Sequence, residues 1–271
     1  MQRSTKPLII ISPSLPPRAG GVSHYADTLM RHWPKSDRQL IYLVRTGADE
    51  ARKYLERPDI YQFDSGKSLL ALLNRFPEGD IILQYAGRGY NRFGCPWWLA
   101  SALETDRKQH PDRRLLTVFH ELWAKMPLLS KYYITEKIGE LTIARLARLS
   151  TIIFAPSDAS IKPLSAFVPK ERIQVSPVGA NILPDKPRPQ KWQQRNTGDF
   201  ILFGLGYHRL QTIKMFQEFL PILAQKNILK TLHVVGPRDE RWSKEEESLL
   251  ARLLPGNIIN RHGAMEPTET S

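Results

Sequence analysis

The chain has 271 residues, of which 41% are hydrophobic, 24% charged and 9% aromatic, enough apolar material for one large domain or two modest ones, which excludes a mainly disordered chain. Its net charge of +12, from 39 Lys and Arg against 27 Asp and Glu, admits an anionic partner such as phosphate, nucleic acid or a lipid surface without choosing among them. Cys95 is the lone cysteine, so an internal disulfide and a thiolate zinc cluster are both excluded, and a reducing compartment is the simpler reading.

The apolar run from Pro7 to Ile11 is too short to cross a membrane, and it lacks a signal-peptide core with a cleavage site behind it. The expectation is a cytoplasmic chain, peripheral to a membrane at most. Leu8 to Ile11 reads instead as a first strand. Ser12 to Gly21 forms a loop, and Val22, Tyr25, Ala26, Leu29, Met30 and Trp33 then make one apolar helical stripe. Gly20 and Gly21 stand at the head of that helix. Two readings fit them: bare backbone that lets a phosphate or sugar approach unpaired amides at the positive end of the helix dipole, or a loop that needs positive φ. A dinucleotide-binding G-x-G-x-x-G is absent. Gly66-Lys67-Ser68 is not a phosphate loop, because Tyr61 holds the place of its first glycine.

Further apolar runs follow at Leu40 to Val44, Asp80 to Gln84, Leu115 to Phe119, Thr151 to Ala155 and Ile173 to Pro177. They show little in-out alternation, which is the pattern of parallel strands covered on both faces. Helices are expected after Pro96-Trp97-Trp98 and along Ile134, Ile138 and Leu141. The repetition of strand and helix predicts a doubly wound α/β layer. His120 and Glu121 end the run Leu115 to Phe119, and in open parallel sheets ligands gather outside such carboxyl ends. A histidine there can donate, accept or act as a base, or serve the structure alone. A zinc-protease motif is excluded by Ala124. Ser157 is placed to cap a helix, and Gly179 and Asn181 either line a cleft or make a turn. No RNA-recognition, zinc-finger or helix-turn-helix signature is present, so nucleic acid is not an expected partner.

Leu183 to Gly198, with three prolines, reads as a linker. The pattern then restarts with a strand at Phe200 to Phe203, a helix through Ile213, Phe216, Leu220 and Leu223, and a strand at Thr231 to Val235. Ser243 and Glu246 have capping-box spacing at the head of another helix, and a strand begins at Asn257 to Ile259. The expected organisation is a domain over 1–182, a linker over 183–198 and a partial second α/β domain over 199–271.

In their order these segments resemble the GT-B glycosyltransferases, specifically the large retaining family 4. The likeness rests on Pro13 to Gly21 with its GG-V-S-x-Y continuation, Thr117 to Glu121, Ile153 to Ser157, Ile173 to Asn181, ILFGLG and LHVVGP, and it covers nearly all the chain. It implies two Rossmann-like parallel-sheet domains, an acceptor-binding first and a donor-binding second. The implied activity is metal-independent, retaining transfer of a hexose from a nucleotide sugar to a lipid-linked or saccharide acceptor, with no cofactor and with contact to an anionic membrane surface. By the same resemblance His120 contacts the transferred sugar, and Gly20, Gly21, Glu121, Gly179 and Asn181 face the ligands. The family's basic pair after the first strand of the donor domain is replaced by GLGYHRLQ, which leaves Arg209, with His208 or Lys214, as the nearest cation. The family's E-x7-E segment belongs after Ser271, so the second domain is expected to be unfinished and the chain truncated, inactive or dependent on a partner chain. The alternative is a non-catalytic binding module; a sugar-nucleotide epimerase is expected to need the missing glycine fingerprint.

Overall fold

The computed structural model describes residues 6–18, 20–33, 38–123, 128–130, 133–177, 198–238 and 240–263, and the chain divides into two compact units, Met1–Asn181 and Ile182–Ser271. The first unit runs β1 (Leu8–Ser12), α1 (Gly21–Arg31), β2 (Leu40–Val44), α2 (Ala48–Leu55), β3 (Ile60–Gln62), α3 (Gly66–Leu73), β4 (Asp80–Tyr85), α4 (Gly87–Tyr90) and α5 (Trp97–Gln109). It continues through β5 (Leu115–Phe119), α6 (Tyr133–Leu149), β6 (Ile152–Ala155), α7 (Ile161–Leu164) and β7 (Ile173–Val175).

Its 7-stranded sheet has the order β3-β2-β1-β4-β5-β6-β7, with every pair parallel. Strand direction never reverses, so each connection must cross over one face, and alternate side chains of each strand enter different layers. Ile9, Ile11, Leu83 and Tyr85 pack in one layer with α3, α5 and α6 residues, whereas Leu8, Ile10, Ile82 and Val118 pack in the other with Ala26 of α1. Both-face burial explains the unbroken apolar runs. The order turns back between β1 and β4, which opens a crevice at their carboxyl ends. At the opposite, amino ends, the buried Asp80 accepts from Arg38 Nη2 at 2.9 Å and Arg114 Nη2 at 2.6 Å. Burial pushes its carboxyl up, but those hydrogen bonds hold it below the ordinary value.

The second unit contains β8 (Asp199–Phe203), α8 (Gly206–Phe216), α9 (Phe219–Gln225), β9 (Thr231–Val235), α10 (Glu240–Leu253) and β10 (Ile259–His262). Its 3-stranded parallel sheet, β10-β9-β8, repeats the order of the outer half of the first sheet, β3-β2-β1. Leu202, Leu232 and Val234 face α8 and α10, together with Leu210, Ile213, Leu249 and Leu250. On the other face of β8, Ile201 is 72% and Phe203 64% exposed. Apolar side chains so placed bind hydrophobic dyes. The double change Ile201→Thr and Phe203→Thr is expected to lower anilinonaphthalene sulfonate fluorescence while shifting unfolding by no more than about 0.5 kcal/mol, as for surface positions generally; unchanged fluorescence would place the dye site elsewhere.

Four expectations are corrected. Ser243 and Glu246 are not a capping box: α10 starts at Glu240, and both residues are buried inside it, with Glu246 paired to arginines. Of the α6 stripe, Ile134 and Leu141 point outward, at 72% and 55% exposure, and Ile138 is half-buried, while Gly139, Thr142, Ile143, Ala144, Leu146 and Ala147 are buried. Small residues let that face approach its neighbours closely, as where Gly139 stands beside the Gly94 carbonyl. The strand expected to start at Asn257 to Ile259 is present, but it starts at Ile259 as β10, behind a single 3-10 turn, Gly256–Ile258. Ser157 precedes a 3-10 turn but makes no cap to backbone; its hydroxyl meets that of Ser160 at 3.2 Å. In addition, α2, β3 and α3 were not anticipated.

Candidate functional site

Side chains two residues apart along a strand share a face. Ser12 follows Ile10, Gln84 follows Ile82 and His120 follows Val118, so all three extend the layer beneath α1 at the carboxyl ends of β1, β4 and β5. Each was an apolar position until its last step. Ser12 and Gln84 are fully buried, and His120 is partly so. The backbone N–H of His120 donates to Tyr85 O at 2.9 Å, which extends the β4–β5 ladder one residue past Phe119 and fixes the start of the side chain.

The His120 ring sits between two partners. Its Nε2 is 2.8 Å from Gln84 Oε1, and Tyr25 of α1 meets it edge-on at 4.9 Å between centroids. Burial pushes its pKa down to about 4, so the ring is neutral near pH 7. A neutral imidazole with so low an affinity for protons is a poor general base at neutral pH. It suits a directed hydrogen bond to a ligand hydroxyl better.

Gly20 and Gly21 lie where the loop from β1 enters α1. Gly21 is not among the positive-φ glycines, so the loop-conformation reading fails for it. Among the described residues, a Cβ on Gly21 would meet nothing within 4 Å, and one on Gly20 would touch Ser23 Oγ at 3.5 Å. What the bare residues leave is open space before the first-turn amides of α1, which have no intrahelical acceptor. Two short contacts shape this loop: Ser12 Oγ donates to Ser14 O at 2.8 Å, and the Ser14 and Ser23 hydroxyls are 2.7 Å apart. Helix start, serine pair, Gln84 and His120 thus converge on the crevice side of the first sheet. Glu121 is exposed, and its Oε1 accepts from the Arg88 backbone N–H at 3.4 Å, which links α4 to the segment after β5.

Gly179 and Asn181 lie outside the described residues. Arg209 belongs to the second unit and is 3% exposed. Its Nε donates to Glu246 Oε2 at 3.0 Å, Nη2 to Pro237 O at 3.2 Å and Nη1 to Gly204 O. The guanidinium therefore ties together the turns that leave β8 and β9. Sequence reasoning missed Gln84, Tyr25 and Ser12 as site residues. Gln84 carried one signal, a polar residue closing the apolar run DIIL; Tyr25 was visible only as part of the helix stripe. Among the described residues no group of three His, Cys, Asp or Glu is placed to hold a metal ion, and no helix is long and apolar enough to cross a membrane.

No protein-family model matches the sequence, and no curated protein does. Solved structures do match in fold. TarM aligns over 98% of this chain and 78% of its own, at 9% identity and a TM-score of 0.64. A glycosyltransferase from Rickettsia africae ESF-5 aligns over 97% and 70%, at 15% identity and 0.52. The UDP-GlcNAc 2-epimerase from Methanocaldococcus jannaschii aligns over 98% and 75%, at 13% identity and 0.53. With its 7-stranded and 3-stranded parallel sheets, this chain has the Rossmann-like architecture of the GT-B glycosyltransferases.

Proposed function

We propose that this chain serves glycosyl transfer: movement of a hexose from a nucleotide sugar to an acceptor hydroxyl, with retention and without a metal or other cofactor. The observation that carries the reading is the polar row Ser12, Gln84 and His120 beneath the open start of α1, at the switch point of the sheet. Unpaired amides there suit an anionic or hydroxyl-rich ligand, and a neutral histidine suits a sugar hydroxyl. In this reading Gly20 and Gly21 admit the ligand, His120 touches the transferred sugar, and Glu121 lines the approach. Arg209 acts by holding the turns after β8 and β9, and Gly179 and Asn181 complete the set. The acceptor is a saccharide or a lipid-linked sugar. The exposed Leu128, Leu129 and Ile134, which follow β5 in sequence, together with the positive charge, support peripheral contact with an anionic membrane on the cytoplasmic side.

Calorimetric titration of the chain with UDP-, GDP- and ADP-linked hexoses tests the reading: one donor is expected to give saturable heat. No heat with any of them would favour an acceptor-binding module that needs a partner chain. The likeness to a UDP-GlcNAc 2-epimerase gives a second reading. A donor epimerised in the absence of acceptor would establish it in place of transfer.

A further inference from the structure

We propose that Gln84 is the positioning residue of this site, its side-chain carbonyl taking the Nε2 proton of His120 so that Nδ1 becomes the nitrogen presented to substrate. A neutral imidazole has one N–H and one lone pair, and the partner of one nitrogen decides the role of the other. Gln84 Oε1 can only accept, so at 2.8 Å the ring nitrogen facing it must donate. Among the described residues Nδ1 has no hydrogen-bond partner.

Gln84 is well placed for this task. It is fully buried on β4, the strand between β1 and β5, and its backbone is paired in the β4–β5 ladder opposite Val118. The Tyr90 hydroxyl, itself buried, lies 2.9 Å from the Gln84 carbonyl and 3.3 Å from that of Ile11, which ties β4 to β1 at this level. The side-chain Nε2 of Gln84 is buried and has no partner among the described residues. The contact with His120 is therefore the hydrogen bond that orients the amide, and each side chain fixes the other. Among the described residues, Tyr25 touches the ring edge-on, and Glu121, its neighbour in sequence, is exposed. Burial keeps the ring uncharged, so its tautomer, not its charge, is what the protein sets.

The test is long-range proton–nitrogen NMR on the full chain labelled at histidine, with His120 assigned from the His120→Gln spectrum. The unaltered chain is expected to show the Nε2–H tautomer at neutral pH. Gln84→Glu, which puts a carboxylate against Nε2, is expected to raise the pH at which the ring protonates by about one or more. Gln84→Met is expected to mix the tautomers while far-UV circular dichroism stays unchanged. An Nδ1–H pattern in the unaltered chain would overturn the proposal, because the Gln84 amide would then be turned the other way. An unchanged tautomer in a folded Gln84→Met would overturn it as well. Should that variant fail to fold, the unaltered chain and Gln84→Glu still decide. The positioning role rests on the glycosyl-transfer reading, whereas the tautomer does not: an Nε2–H ring in a chain that binds no nucleotide sugar would defeat that reading and leave the Gln84–His120 pairing standing.

Discussion

Arg209→Ala is expected to destabilise the second unit by about 3–5 kcal/mol, the usual cost of breaking a buried ion pair and leaving its partner charged. Glu246 is 1% exposed and among the described residues would retain only Arg261, which lies 2.9 Å away and is itself 40% exposed. The loss is not confined to one charge pair. The Arg209 guanidinium also satisfies the Gly204 and Pro237 carbonyls, and Gly236 packs so closely that a Cβ there would come within 2.7 Å of Nη1. A domain holds only about 5–15 kcal/mol in total, and a 3-stranded sheet backed by few helices belongs at the low end. Hydrogen exchange resolved by peptide should show β8 to β10 losing protection while β1 to β7 keep theirs. Arg238→Ala is the control: its pair with Glu247 is long and exposed, and about 0.5 kcal/mol or less is expected. A variant as stable as the parent that no longer binds donor would instead make Arg209 a direct ligand contact.

The same residue shows how far the sequence could be read. Arg209 was identifiable as the cation nearest the end of β8, but its partner Glu246 lies 37 positions away and looked like a helix cap. The central strands were legible because burial on both faces writes itself as an unbroken apolar run. The three-residue β3 and the eight-residue α2 and α3 were not, because each repeats its period only once or twice, too few times to stand out from the loops around it. Helix α6 was found with two of its three stripe residues on the wrong face, since Gly139, Ala144 and Ala147 bury as effectively as leucine where neighbours come close. At the site, Gly20, Gly21 and His120 stood out as polar or bare positions at strand and helix ends. The pairing of His120 with Gln84 did not, because 36 residues separate them and only the parallel register of β4 and β5 brings them side by side.

His120→Ala is expected to reduce glycosyl transfer by about tenfold to several hundredfold, the range for losing a fixed hydrogen-bonding group from a transition-state site, with the fold retained. Retention is expected because the ring is only partly buried and its backbone bond to Tyr85 survives the change. The pH behaviour separates this role from a structural one. The native ring protonates only near pH 4, whereas an unfolded histidine does so near 6.5. A depressed histidine pKa means that the unfolded chain binds the proton first, so its contribution to stability is intact above about pH 6.5 and is lost as pH falls toward 4, by at most about 3 kcal/mol and by less for a ring that solvent partly reaches. The alanine variant lacks that loss, so its stability should fall less steeply with acid than the parent's. Turnover of the parent should carry no His120 inflection between about pH 5 and 8, because the ring stays neutral throughout. Unchanged turnover in the variant would remove His120 from the mechanism. Reduced turnover with the parent's acid profile would mean that the ring is not buried as a neutral group, and a neutral ring is what lets Gln84 decide which nitrogen the sugar meets.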